Sequence, residues 1–112
     1  MIDFNGLTQT CLDIAKKRTA NGGAGNDYLK HCATEIVEAT AARAQLGFWQ
    51  IAKSMKIKEH LERAEAEYAD ELADIIICAM LAAAADNLDI EKALLNKIAI
   101  NEKRAMGIGD KL

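Results

Sequence analysis

Apolar residues recur along this chain at helical spacing rather than in strand-like alternation. Leu7, Cys11, Leu12 and Ile14-Ala15 lie near a helical period, which predicts a first helix over about Asp3 to Arg18. A glycine-rich break follows, Thr19 to Asn26. It lacks the GxxxxGK[ST] spacing of a phosphate-cradling loop, so a connector is the expected role. Asp27 offers an N-cap for a second helix to about Leu46. A less regular segment, Gly47 to Lys58, carries Phe48, Trp49 and Met55. A third helix is predicted from about Lys58–Glu62 to Asp86, after which Asn87-Leu88-Asp89 breaks and recaps the chain. A fourth runs from Ile90 to about Met106, with Gly107 as its stop.

The third helix departs from an ordinary amphipathic pattern. From Ile75 to Ala85 it is apolar on every face, and a helix buried on all sides needs neighbours all round. A four-helix protomer covers only part of such a surface. A second copy of the chain is the simplest cover, with twofold symmetry.

Composition agrees with a helical reading. The chain has 112 residues, 51% of them apolar, no proline and few aromatics, which fits one all-α domain over residues 1–112 with a real core. A net charge of −3 without a basic block argues against nucleic acid. The opening MIDFNGLTQT lacks signal-peptide character, and the longest apolar run is too short to span a bilayer. No membrane role is expected, and the cytoplasm is the expected location. Cys11, Cys32 and Cys78 form no CxxC pair and have no His at zinc spacing. They read as small hydrophobes in a reduced compartment.

The candidate chemistry lies in two acidic pairs. Glu35 and Glu38 are three residues apart, as are Glu71 and Asp74, so each pair projects carboxylates from one helix face. Such pairs are commonly just solvated. At about 100° per residue, however, Glu71 and Asp74 share a sector with Ile75, Cys78, Leu81, Ala82 and Ala85. Glu35 lies among Cys32, Ala39, Ala42 and Leu46. Carboxylates at the rim of packed apolar surface are neutralised, paired or metal-bound. An all-oxygen set favours Mg²⁺, with Mn²⁺ as the alternative. Glu67 falls on the same sector and reads as an accessory ligand or a solvated side chain. A di-iron bundle would need Glu-x-x-His twice, and neither His31 nor His60 follows a Glu by three.

The fourth predicted helix carries Lys97, Asn101 and Arg104 at i, i+4 and i+7, on the stripe begun by Ile90, Ala93 and Leu94. Polar residues at inward positions are a local inconsistency of the kind found at functional sites. Together they suit a polyphosphate: Lys a point charge, Arg a fork, Asn an orienting hydrogen bond. Structural salt bridges to the acidic helices are the plainer reading.

Glu35-x-x-Glu38, then Glu71-Leu72-Ala73-Asp74-Ile75, then Lys97-x-x-x-Asn101-x-x-Arg104 resembles the MazG-like all-α NTP pyrophosphohydrolase superfamily. The resemblance covers residues 27–106. It implies a four-helix-bundle-like protomer completed as a homodimer or homotetramer. It implies Mg²⁺-dependent cleavage of a nucleoside triphosphate to the monophosphate and pyrophosphate. Carried over, Glu35, Glu38, Glu71 and Asp74 ligate the metal, while Lys97, Asn101 and Arg104 contact phosphates. Glu38 is the preferred acceptor of the attacking water's proton. Thr34 stands where relatives often have a leading Glu. Trp49 is expected to be buried or at an interface, with base stacking the alternative. Two other functions compete with this one: a catalytically idle oligomeric nucleotide-binding module, and a helical adaptor whose carboxylates are simply paired.

Overall fold

A computed structural model describes residues 2–20, 27–52 and 57–107. Among them the chain forms four α-helices and no strand: α1 Phe4–Ala20, α2 Tyr28–Ile51, α3 Ile57–Ala85 and α4 Ile90–Ala105. The expected all-α class is borne out. No described helix is long and apolar enough to cross a membrane. The glycine-rich connector, residues 21–26, and Met55 lie outside the described residues.

Local chemistry sets the helix ends. Asp27 caps α2, its side chain accepting from the Lys30 N–H at 3.1 Å. The α3 terminus is closed by Leu88 N–H donating to the Ala83 carbonyl at 2.9 Å and Asn87 N–H to that of Ala84 at 3.1 Å. Asn87 takes the left-handed conformation this motif requires, at φ 57°. Asp89 then caps α4, accepting from the Lys92 N–H at 3.0 Å. That N–H, helped by the Asn5 amide, holds the Asp89 carboxyl below its ordinary range. Gly107 stops the chain at φ +78° as expected.

One boundary differs from the sequence reading. The segment after Leu46 remains helical to Ile51, so Gly47 lies inside α2. A mid-helix glycine costs about 1 kcal/mol. The inward period nevertheless continues from Leu46 to Trp49, and Ala52 N–H closes the last turn on the Phe48 carbonyl at 2.9 Å.

The chain divides into two compact units, Met1–Ala24 with Ala83–Leu112, and Gly25–Ala82. In the first, α1 packs on α4, and Thr8 is buried with its hydroxyl donating to the Phe4 carbonyl at 2.7 Å. In the second, α2 and α3 form an antiparallel hairpin. Contacts between them climb one helix as they descend the other: Trp49 with His60, Arg43 and Tyr68 around a common pocket, Glu35 with Asp74. Ala39, Leu46 and Ala64 are buried, and the two alanines let the helix axes approach closely.

Candidate metal centre on the α2–α3 hairpin

The hairpin register brings the acidic motifs together. Glu35 on α2 and Glu71 and Asp74 on α3 each offer a carboxylate oxygen within 4.8 Å of the others. Glu35 and Glu71 are half-buried and Asp74 is exposed. Oε2 of Glu35 and Oε2 of Glu71 are buried with no hydrogen-bond partner among the described residues. Buried polar atoms normally have partners, so these two oxygens are an open demand for positive charge or a donor. Glu38 stands at the exposed rim within hydrogen-bonding reach of both Glu35 and Glu71. It is outside the converging set itself. Glu67 is exposed and also outside it.

Like charges at this density change proton affinity. Burial raises the Glu35 carboxyl above its ordinary value, assisted by the charges of Glu38, Asp74 and Glu71. Burial also raises Glu71, followed by Glu38, Asp74 and Asp70. A raised carboxylate stabilises the fold fully below its unfolded-state value, and that contribution is lost as pH rises through the folded-state value. Without divalent cation the protein is therefore expected to lose stability between pH 4.5, the ordinary glutamate value, and the raised values of these two groups. Thermal unfolding in chelator checks this. The melting temperature should fall with pH over that window, and Glu35→Gln should flatten the slope. A slope that Glu35→Gln leaves unchanged contradicts it.

A second feature of the hairpin was hidden in the sequence. Cys32 and Cys78 stand at facing positions across it, and burial, assisted by Cys32, pushes the Cys78 thiol up to about 11. All three cysteines are free, and each is half-buried. Scattered spacing gave no sign of this pairing, because it depends on the register between helices.

Lys97, Asn101 and Arg104 are on α4, in the first unit. Lys97 and Asn101 are exposed, whereas Arg104 is half-buried, its Nε buried and without a partner among the described residues. The inward stripe expected for α4 is not realised within the single chain. No residue of that helix is buried, and Leu95 and Ile98 are 60% and 46% exposed. Trp49 is half-buried and committed to its own chain, stacked on His60 at 4.2 Å and 13°, with Phe48 edge-on at 4.8 Å.

The opposite flank of the hairpin is apolar. Ile36, Ala39, Thr40, Arg43, Tyr68 and Ile75 line a pocket of about 230 Å³. That is below the roughly 300–1,000 Å³ usual for a ligand site. Glu38 is two residues beyond Ile36, about 200° round α2, so the carboxylate rim and this pocket open on different sides.

Comparison with known proteins gives no match, whether to family models, to curated proteins or to solved structures. The carboxylate cluster therefore rests on its own geometry. Its donors are all oxygen, they converge on one point, and two of them lack partners, which suits a hard divalent cation.

Proposed function

We propose that the chain is a Mg²⁺-dependent nucleoside triphosphate pyrophosphohydrolase of the MazG-like kind, releasing the monophosphate and pyrophosphate. The observation that carries this reading is the convergence of Glu35, Glu71 and Asp74 with two unpartnered buried oxygens. The ordered motifs on α2, α3 and α4 supply the reaction type, by resemblance.

In this reading Glu35, Glu71 and Asp74 hold the cation, with Glu38 joining them at the rim. The bound Mg²⁺ supplies the positive charge that lets an acidic cluster receive a triphosphate, and it acidifies water there. Glu38 is exposed and adjacent to two other carboxylates, which makes it the acceptor for the proton of the attacking water. By the resemblance alone, Lys97 and Arg104 are assigned to phosphate charge and Asn101 to phosphate orientation. A reaction with each common NTP and dNTP, followed by phosphorus NMR, tests the assignment. Pyrophosphate should be the first inorganic product. Accumulation of nucleoside diphosphate with orthophosphate would show the cleavage point to be wrong.

The working form in this proposal is a homodimer or homotetramer. Leu29, Val37, Ile76 and Ile36 are 75%, 69%, 54% and 52% exposed within one chain. These are apolar side chains of the kind that a second copy of the chain would cover. Light scattering at micromolar concentration should give at least a dimer mass. A well-folded monomer would rule this part out.

A further inference from the structure

Glu35 and Asp74 meet across the α2–α3 hairpin. One turn toward the N-terminus of α2 is Cys32, and one turn toward the C-terminus of α3 is Cys78. Antiparallel packing therefore brings these two residues to facing positions at the same level of the hairpin. Neither is fully buried. We propose that Cys32 and Cys78 are a reversible disulfide site that staples α2 to α3 directly beside the carboxylate cluster, with a low-molecular-weight disulfide as the oxidising partner.

The chemistry balances with that partner. One of the two thiols loses its proton and attacks the reagent's S–S bond, which breaks. Half of the reagent leaves as a thiolate and takes up a proton, and a mixed disulfide remains on the protein. The sulfur of the second cysteine then attacks the first cysteine's sulfur and displaces the other half. Two protein thiols are oxidised to one disulfide, and one reagent disulfide is reduced to two thiols. The facing thiol makes the second step intramolecular, so the mixed species does not persist.

The staple also opposes a specific force. Glu35 on α2 lies within 4.8 Å of the carboxylates of Glu71 and Asp74 on α3, and repulsion among these like charges works to separate the two helices at this level. A covalent link one turn away resists that separation, and it closes a long loop in the unfolded chain.

The test uses the full chain in oxidised and reduced glutathione buffers, trapped by alkylation and mapped by mass spectrometry. The expected product is a Cys32–Cys78 linked peptide, with Cys11 recovered as an alkylated thiol. Cys32→Ala and Cys78→Ala should each accumulate the glutathione adduct on the remaining partner, whereas the wild type should not. The oxidised wild type should melt roughly 5–15 °C above its reduced form, reversibly with dithiothreitol. A persistent glutathione adduct on wild-type Cys32 or Cys78, or a disulfide that includes Cys11, would overturn the proposal. These readouts do not involve nucleotide or metal, so they stand or fall separately from the enzymatic reading.

Discussion

Asp74→Asn is expected to abolish divalent-cation binding and turnover together while leaving the helical fold intact. Asp74 contributes an exposed carboxylate to a cluster whose other members, Glu35 and Glu71, are half-buried. Asparagine keeps the shape, removes the charge and leaves a weaker neutral oxygen donor. On the proposed mechanism the loss in turnover should be at least about 100-fold, near 2.7 kcal/mol of transition-state stabilisation. The metal-free protein should behave in the opposite sense. Asp74 is one of the charges that raise Glu35 and Glu71, so its neutralisation relieves repulsion and should raise the melting temperature in chelator. Glu67→Gln is the contrasting variant, since Glu67 is exposed and outside the cluster; it should change neither quantity. Mn²⁺ binding followed by electron paramagnetic resonance, beside a pyrophosphate assay, separates these outcomes. Near wild-type turnover in Asp74→Asn would remove Asp74 from the metal site.

Arg104→Ala should cut turnover about 10- to 1000-fold, or about 1.4 to 4 kcal/mol of transition-state stabilisation. The side chain is half-buried and its Nε has no partner among the described residues, an expensive arrangement for a guanidinium that serves only as packing. On the proposed reading that nitrogen is held for a phosphate oxygen. Arg104→Lys keeps the charge but loses the planar fork, so rescue should be partial. The decisive comparison is between turnover and Mn²⁺ affinity. Turnover should collapse in Arg104→Ala while cation binding stays near that of the wild type, because Arg104 is not among the converging carboxylates. A parallel loss of melting temperature and activity would instead assign Arg104 a structural role.

Much of the site's raw material was legible along the chain because its logic is local. Glu35 and Glu38 share a face, as do Glu71 and Asp74, by helix rotation alone. Their apolar neighbours Ala39, Leu46 and Leu81, all buried, follow from the same rotation. Glu38 shows the limit of that logic. It shares the motif with Glu35, yet it stands at the rim while Glu35 joins the converging set. Which member of a pair points inward depends on where the facing helix lies.

The amino-acid sequence by itself determined the helical class and most helix ends. Each of those rests on contacts within a few residues: the Asp27 and Asp89 caps, the left-handed Asn87 and the glycine stop at Gly107. The end of α2 escaped it, because the continued inward period through Trp49 outweighs the unfavourable Gly47. The tertiary structure alone decided the register of α2 against α3. That register sets Glu35 against Glu71 and Asp74, lays Trp49 on His60 and brings Cys32 to Cys78. It arises from burial of Ala39, Leu46 and Ala64. Helical periodicity states which face of each helix is inward but carries no information on how far one helix slides along the other, and that slide is fixed only when the side chains of both are packed.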